Sequence, residues 1–431
     1  MKTLLTLTSA SILALGLATD TFADAPKTNK GHAALKSQVE MLMKRVNELE
    51  AKEKAIGNLT EKEAATTGNN LNVRISGQVN RAVLWHNDGS HSNIVHVDPS
   101  DEASSRLRVD ASGKLSDGTR AGAVLEMDLR SNPAESDTDV RKASSNNNTF
   151  QKRAIEVFFD STRWGKFTLG HGWMAAARVT RDTDMSATGA ISMGDTVGQL
   201  GGATQFTTKN RDQRTPAVGS TALNKATTLG GTVLDVKSVF NGADNHREDR
   251  LQYDTPTYWG TKLAASHSYK GRNDNWDVAL KHASTVAGTK LAAQAAYFSN
   301  LSNTSPADTN NNVDTQKYTQ WNGSVGALFP VGVSLMFAAT HRDWKIANAP
   351  KGKVYFGKLG YQQKFFEAGL TALALDYGHF KNMILERSTG DANIKNKFVG
   401  KTYGASLVQH IDRVGAELYL MARTYTLAGE T

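Results

Sequence analysis

Side chains alternate between apolar and polar character along most of the sequence beyond residue 71. In one stretch Leu251 and Tyr253 share one parity, whereas Arg250 and Asp254 share the opposite parity. A period of two residues is the pattern of β-strands that have one apolar and one polar face. Fifteen segments show this pattern, at residues 72–85, 104–115, 119–130, 150–160, 166–173, 247–254, 261–270, 275–282, 289–298, 318–329, 332–342, 353–362, 367–377, 398–409 and 414–427. The sequence therefore predicts a nearly all-β structure.

The connections between these segments alternate between tight turns and long polar loops. Tight turns are predicted at residues 116–119, 161–165, 254–260, 330–332 and 412–415. The long loops are rich in Asn, Ser, Thr and Asp, and they include residues 131–149, 299–317 and 378–397. Short turns at one end of the strands and longer loops at the other end are typical of outer-membrane β-barrels.

The character of the two strand faces suggests which of them contacts lipid and which contacts water. The apolar parity is regular, for example at Leu291, Ala293 and Ala295. A soluble β-sandwich could show the same alternation, with its polar face in water. In a bilayer, by contrast, every backbone polar group must be paired, so the strands must close on themselves. We expect residues 71–431 to form an all-β transmembrane barrel of about 16 antiparallel strands, with the apolar face towards lipid.

The N-terminus has the pattern of an export signal. Lys2 is followed by an apolar run over residues 4–18 and by a small-residue site that ends in Ala23. This arrangement predicts a secretory signal peptide over residues 1–23. The sequence contains no cysteine, so the exported fold must be stable without disulfides and offers no thiol nucleophile.

Residues 24–56, which precede the alternating segments, show a heptad pattern instead of a period of two. The apolar seam consists of Leu35, Val39, Leu42, Val46, Leu49 and Ile56. Val at the a positions and Leu at the d positions predict an α-helical coiled coil, and this combination favours dimers in isolated peptides. A single amphipathic helix that lies on its own barrel is the alternative. Residues 57–70 are polar and form a linker to the barrel.

The charges suggest what the barrel interior prefers. The formal net charge is +8, which in an exported chain favours an anionic solute or lipid surface over nucleic acid as the partner. By parity, the basic side chains expected to line the pore are Arg74, Arg106, Arg108, Arg120, Arg130, Arg250, Lys262, Lys281, Lys290, Arg342, Lys358 and Arg423. The acidic side chains of the same parity are Asp110, Glu126, Asp128, Asp254, Asp277, Asp376 and Glu417. The excess of basic residues predicts a lumen that favours anions.

The stretch at about residues 174–246 is far longer than a normal connection between strands. It carries the acids Asp182, Asp184 and Asp195 close to Arg178 and Arg181. Because opposed charges at a constriction set the selectivity of a channel, these three acids are candidates for a constriction. A solvated surface loop is the alternative. A small hairpin is predicted within this stretch, at residues 230–240.

Three stretches of the sequence resemble Gram-negative general porins. They are SSRLRVDASGKLSDGTRAGAVLEMDLR at 104–130, RWGKFTLGHGWMAA at 163–176 and REDRLQYDTPTYWG at 247–260. The order of signal peptide, heptad helix, linker and barrel resembles the DcaP-like branch. The resemblance implies a homotrimer with an inward-folded third loop that carries small anionic solutes. It also implies a place in the outer membrane, among its lipids and lipopolysaccharide, with the N-terminal helix in the periplasm.

Signals for catalysis are weak. Residues 170–175, GHGWMA, match a dinucleotide-binding fingerprint, but no helix and parallel strand follow them. The histidines have no ligand spacing, so we expect no metal, no other cofactor and no enzymatic activity. The expected function is an outer-membrane porin for passive diffusion of small hydrophilic, preferentially anionic solutes. A structural protein that tethers the outer membrane to the cell wall, with an incidental pore, is the alternative.

The last predicted segment breaks the barrel pattern. Single-chain bacterial barrels have an even number of strands, whereas fifteen are recognised here. We therefore expect one of two arrangements. Either the chain lacks a final descending strand and terminal Phe, or the first and last strands pair in parallel.

Overall fold

The computed structural model describes residues 71–88, 92–99, 103–134, 148–189, 197–202, 204, 206, 228–229, 232–233, 235–270, 273–300, 317–345, 348–384 and 397–430. The chain divides into two compact units, Met1–Leu71 and Asn72–Thr431. The predicted signal peptide, coiled-coil helix and linker lie outside the described residues.

Strands dominate the described part of the chain. They are β1 (Leu71–Gln78), β2 (Ala82–Asn87), β3 (Ser92–Val97), β4 (Arg106–Ser116), β5 (Thr119–Ser131), β6 (Asn148–Ser161), β7 (Gly165–Trp173), β8 (Thr228–Leu229), β9 (Thr232–Val233), β10 (Arg247–Asp254), β11 (Thr261–Lys270), β12 (Asn273–Val286), β13 (Thr289–Asn300), β14 (Tyr318–Leu328), β15 (Val333–Trp344), β16 (Gly352–Phe366), β17 (Gly369–Lys381), β18 (Lys397–Ile411) and β19 (Ala416–Glu430). One short helix, α1, spans Val236–Val239. No helix among the described residues is long and apolar enough to cross a membrane.

A single large sheet contains fifteen of these strands, in the order β1-β4-β5-β6-β7-β10-β11-β12-β13-β14-β15-β16-β17-β18-β19. The pairing is antiparallel from β4 through β19. Tight turns such as residues 117–118 and 412–415 lie at one rim, and the strand ends that flank the longer connections lie at the other. The prediction of an antiparallel, nearly all-β chain is confirmed.

The prediction of one continuous strand at residues 72–85 is wrong. β1 ends at Gln78, and β2 pairs with β3 in a separate hairpin. The side chain of Asn80 explains the break, because its Nδ2 donates to the Ala103 carbonyl at 2.8 Å and its backbone N–H donates to Ser105 Oγ at 3.0 Å. These bonds replace ladder bonds and lead the chain out of the large sheet.

The two ends of the large sheet are β1 and β19. Within the described residues β19 pairs only with β18, so the expected parallel pairing of the first and last strands is not formed. A side-chain bond links the two ends instead. The Tyr419 hydroxyl of β19 donates to Asn80 Oδ1, just beyond β1, at 2.6 Å.

The sheet has a polar inner face and an apolar outer face. We call the face that residues 174–189 and 235–246 cover the inner face. Its buried polar side chains include Ser266, Asn275, Gln320, Asn322, Thr340 and Thr402. Exposed apolar side chains of the opposite parity include Leu263, Leu280, Val325, Leu335, Leu375 and Leu407. The predicted parity is therefore confirmed, with the polar face inside.

Candidate functional site: the charged inner face and the segment packed on it

Two limbs of the chain between β7 and β10 lie against the inner face. The outbound limb, residues 174–189, crosses the sheet from β11 to β18. Its Ala175 N–H donates to Ser266 Oγ of β11 at 2.9 Å, and near its end the Ala187 carbonyl lies 3.3 Å from His410 Nε2 of β18. The return limb, residues 235–246, leads back to β10. The inward-folded loop over about residues 174–246 that the porin resemblance implied stays a prediction.

Glycines on the inner face make room for the outbound limb. A Cβ atom on Gly326 of β14 would lie 1.9 Å from the Thr183 carbonyl oxygen. A Cβ atom on Gly360 of β16 would lie 2.7 Å from Ser186 Cβ. Both distances are too short for real contacts, so the limb can approach these strands only where the side chain is absent.

Buried carboxylates tie the two limbs to the sheet. Asp277 of β12 accepts from the Ala176 N–H at 2.8 Å and from Asn245 Nδ2 at 2.9 Å, so it holds both limbs at once. Asp244 accepts from the Thr180 N–H at 2.9 Å and from the Asn322 amide of β14. Asp277 was predicted to line the pore, and the structure shows that it is covered by the limbs.

An apolar cluster anchors the return limb. The short helix α1 is capped by Asp235, which accepts from the Ser238 N–H at 2.8 Å. The following Phe240 is fully buried, and its ring centroid lies 5.1 Å from that of Phe380 and 5.2 Å from that of Tyr425. The hairpin predicted at residues 230–240 is a shorter hairpin, β8–β9, followed by this helix.

The basic residues predicted on the first hairpin do share one wall. Arg108 of β4 lies 2.8 Å from Asp110 and 2.8 Å from Glu126 of β5. Arg106 approaches the same Glu126 at 3.3 Å. Arg74 of β1 extends the row, with its guanidinium 3.4 Å from Asp110. The result is a continuous row of arginines interleaved with carboxylates.

Arg153 belongs to this wall, although simple parity places it on the outer face. A register shift between Glu126 and Met127 makes Arg153 an extra residue opposite them. The bulge turns its side chain inward, where it lies 2.7 Å from Glu126 and 3.2 Å from Asp128. Arg130 reaches the same Asp128 at 3.2 Å, and both arginines are buried. No local sequence signal for a bulge identified this residue.

Near the tight-turn rim, two cations flank an inner aromatic ring. Arg120 lies 2.8 Å from Asp160, and its Cζ lies 5.8 Å from the ring centroid of Phe158. Lys166 Nζ lies 4.7 Å from the same centroid. Lys166 was not among the predicted pore residues, although its parity on β7 matches that of the inner face.

Several predicted pore-lining cations face inward but are covered. Arg250 pairs with Glu156 at 2.9 Å, Lys358 with Asp184 at 2.7 Å, and Arg423 with Asp376 at 2.7 Å. Arg342 donates to Gln320 Oε1 at 2.7 Å and to the Gly242 carbonyl at 2.6 Å. These cations, together with Arg130, stabilise the limbs and the sheet and do not line an open surface.

The remaining predicted residues are distributed along the same face. Lys262 lies 3.3 Å from Asp254 and directly opposite Lys281 across the β11–β12 pair. Lys290 is exposed near the tight-turn rim. On the outbound limb, Asp182 pairs with Arg178 at 2.8 Å. The third candidate acid of the limb, Asp195, lies outside the described residues.

A cluster of guanidinium groups surrounds Trp173 at the end of β7. The Cζ atoms of Arg247, Arg181 and Arg178 lie 3.6, 4.9 and 5.8 Å from the ring centroid. Such cation–π contacts hold arginines in place without neutralising their charge. The cluster lies at the long-loop rim, where both limbs meet the sheet.

Solved structures with a similar fold are outer-membrane proteins. A loop L8 deletion mutant of OmpT from Vibrio cholerae has a TM-score of 0.50 and 14% identity, over 84% of this chain and 95% of that chain. The in-vitro folded trimer form of OmpT has a TM-score of 0.44 and 13% identity, over 83% and 100%. The channel DcaP of Acinetobacter baumannii has a TM-score of 0.37 and 10% identity, over 84% and 98%. Only the first of these TM-scores is high enough for the likeness to bear on the fold, and at 14% identity it bears on nothing else.

The sequence comparison identifies the family. No curated protein matches the chain. A family profile described as Gram-negative porin, however, matches residues 62–406, well over half of the chain. The matched region includes the row of arginines Arg74, Arg106 and Arg108 and both limbs. The chain therefore belongs to the Gram-negative porin family, the channels of the outer membrane.

Proposed function

We propose that the protein is a passive channel for small hydrophilic solutes and that it prefers anions. The uneven exposure of the partners in its inner-face ion pairs supports this preference. The Arg74 side chain is 73% exposed and that of Asp110 is 22% exposed. Arg120 is 60% exposed against 28% for Asp160. In each pair the cation reaches further into solvent than the acid, so a passing solute meets positive charge first.

Two further inner-face pairs show the same asymmetry. The Arg108 side chain is 36% exposed, whereas that of its partner Glu126 is 10% exposed. Lys262 is 38% exposed and its partner Asp254 12%. Two opposite unit charges 4 Å apart in water attract by about 1 kcal/mol, which is a factor of about five in local concentration. A row of such cations would therefore enrich anions along the wall, and no catalytic step is part of this function.

Neutralising two arginines of the wall tests the proposal. We expect the protein in a planar bilayer with a salt gradient to show a reversal potential of the sign that anion preference produces. Changing Arg106 and Arg108 together to Gln leaves Asp110 and Glu126 with less compensation, so the anion preference should fall or reverse.

The matched control is Lys152→Gln, since Lys152 pairs with Asp249 away from the inner face. It should leave the reversal potential unchanged. Cation preference in the unmodified protein would contradict the proposal, and absence of conductance would favour the tethering function instead.

We also propose that residues 24–56 form a periplasmic coiled coil within a homotrimer. The apolar heptad seam supports this assignment, and the porin family makes an oligomer the natural setting for it. In this arrangement the opposed charges of Arg178 and Asp182 on the outbound limb belong to the constriction of each channel.

Disrupting the seam should weaken the oligomer and leave the barrel folded. Replacing Leu42 and Leu49 with Ser removes roughly 1.5–3 kcal/mol of apolar burial at each position. The temperature at which the oligomer dissociates in detergent should therefore fall, as judged by gel mobility. Lys44→Ser, at a solvent-facing heptad position, should leave that temperature unchanged. Equal dissociation temperatures for all three proteins would mean that the helix does not associate.

A further inference from the structure

Phe158 is an aromatic side chain on the polar inner face, near the tight-turn rim. It lies on β6 opposite Gly122 of β5 and Thr168 of β7. A Cβ atom on Gly122 would lie 2.7 Å from Phe158 Cζ, so the ring reaches across the neighbouring strand. The ring is partly exposed, and the buried apolar clusters of the described chain do not include it. Phe158 is therefore a residue of the inner wall and not of an apolar core.

A row of charged side chains lies beside the ring, two residues closer to the tight-turn rim. Arg120 of β5 stands opposite Asp160 of β6, and Asp160 stands opposite Lys166 of β7. The Arg120 guanidinium lies 2.8 Å from the Asp160 carboxylate. Arg120 Cζ and Lys166 Nζ lie 5.8 and 4.7 Å from the Phe158 ring centroid. The two cations therefore flank the ring.

The cations of this row reach further into solvent than its acids. The Arg120 side chain is 60% exposed, against 28% for Asp160. Lys166, which is partly exposed, also stands opposite Asp254 of β10. The Asp254 side chain is 12% exposed and lies 3.3 Å from Lys262. Both acids are therefore recessed in the wall, and a solute beside the ring meets an apolar surface and two cations.

This combination fits one class of solute, a small carboxylic acid that carries an aromatic ring. Ligand sites combine apolar contact surface with a few polar groups that fix the orientation of the ligand. Aromatic rings prefer offset or tilted contacts with their centroids about 4.5–7 Å apart, and a carboxylate accepts paired hydrogen bonds from a guanidinium. Because both cations lie beside the ring, one molecule can contact Phe158 through its ring and Arg120 or Lys166 through its carboxylate.

We infer that Phe158, Arg120 and Lys166 form a binding site for small aromatic carboxylates at the tight-turn end of the channel. In outer-membrane barrels this is the periplasmic end. The inference rests on the proposed function, because the site lies in the wall along which solutes pass. An aliphatic anion of the same charge gains only the electrostatic part of the interaction. The channel therefore distinguishes aromatic from aliphatic carboxylates, which charge alone cannot do.

Block of the single-channel current by phenylacetate tests the inference, with acetate as the aliphatic anion of equal charge. In a planar bilayer, phenylacetate should lower the conductance of the unmodified protein in a saturable way, at concentrations at which acetate has no effect. Phe158→Ala removes the ring contact and should raise the half-blocking concentration about five-fold. Lys166→Gln removes one cation and should raise it by a similar factor, roughly five-fold. Phe158→Tyr keeps a ring and should be blocked as the unmodified protein is.

The matched control is Phe159→Ala, because Phe159 is the next residue of β6 and faces outward, with 39% of its surface exposed. It should leave the half-blocking concentration unchanged. Normal conductance in potassium chloride would show that each variant is folded. Equal block of Phe158→Ala and the unmodified protein would overturn the site, as would equal block by phenylacetate and acetate. Equally strong block by benzyl alcohol, which is neutral, would show that the cations take no part.

Failure of this inference can be told apart from failure of the proposed function. Reversal potentials in potassium chloride decide the anion preference without phenylacetate. Equilibrium dialysis of the purified protein against phenylacetate measures binding without any conductance. A cation-preferring protein that binds phenylacetate through Phe158 would contradict the proposed function and support the site. An anion-preferring protein whose Phe158→Ala variant binds phenylacetate as tightly as the unmodified protein would overturn the site alone.

Discussion

Replacing Gly326 with alanine should lower the single-channel conductance of the protein. The new Cβ atom would lie 1.9 Å from the Thr183 carbonyl oxygen, so the outbound limb must move away from β14 and into the channel. The bond from Thr183 Oγ1 to Ser324 Oγ, 2.8 Å long, would be strained or lost. Overpacking of this kind typically destabilises a fold by about 1–3 kcal/mol. Movement of the limb would relieve the clash.

Conductance in a planar bilayer measures this effect directly. Gly357→Ala is the matched control, because it adds the same methyl group to the outer face where no atom lies within 4 Å. It should conduct as the unmodified protein does. If Gly326→Ala also conducts normally and keeps its oligomeric state, the limb does not lie against β14.

Removing Lys358 should lower the thermal stability of the protein and weaken the packing of the outbound limb. Its side chain is 1% exposed and lies 2.7 Å from Asp184, which is 7% exposed. Lys358→Ala would leave Asp184 buried without its cation, which costs about 3–5 kcal/mol. Thermal unfolding should therefore begin at a lower temperature, and protease should cut residues 174–189 more readily.

A double variant distinguishes loss of the ion pair from the cost of leaving one buried charge without its partner. Lys358→Met with Asp184→Leu removes both charges, and such replacements are often neutral or stabilising. The double variant should therefore unfold close to the temperature of the unmodified protein. Lys262→Ala breaks a pair whose lysine is 38% exposed, and it should cost at most about 1 kcal/mol. An effect of Lys358→Ala as small as that of Lys262→Ala would show that the buried pair does not hold the limb.

The strands and the faces they present followed from the sequence alone. Alternation with a period of two is a local property of a β-strand, so the parity of Leu251 and Arg250 could be assigned without knowing their neighbours. The predicted bounds of residues 247–254 and 261–270 coincide with β10 and β11. The porin motifs added the family.

Departures from the pattern came from contacts between residues that are distant in the sequence. The side chain of Asn80 bonds to Ala103 and ends β1 early. A bulge opposite Glu126 turns Arg153 inward. Neither contact leaves a mark in the parity of its own strand. Glycine at the inner positions 326 and 360 was the signal that could have located the path of the outbound limb.

Apart from Arg153, which a bulge turns inward, the sequence by itself determined which side chains of the sheet face inward, and the tertiary structure decided which of them a solute can reach. Arg108 and Lys358 have the same parity and charge, yet Arg108 stays partly exposed while Lys358 is enclosed with Asp184. The difference arises because the outbound limb covers β11 to β18 and does not extend to Arg108 on β4. Parity is set by the geometry of one strand, whereas cover depends on where a distant segment packs.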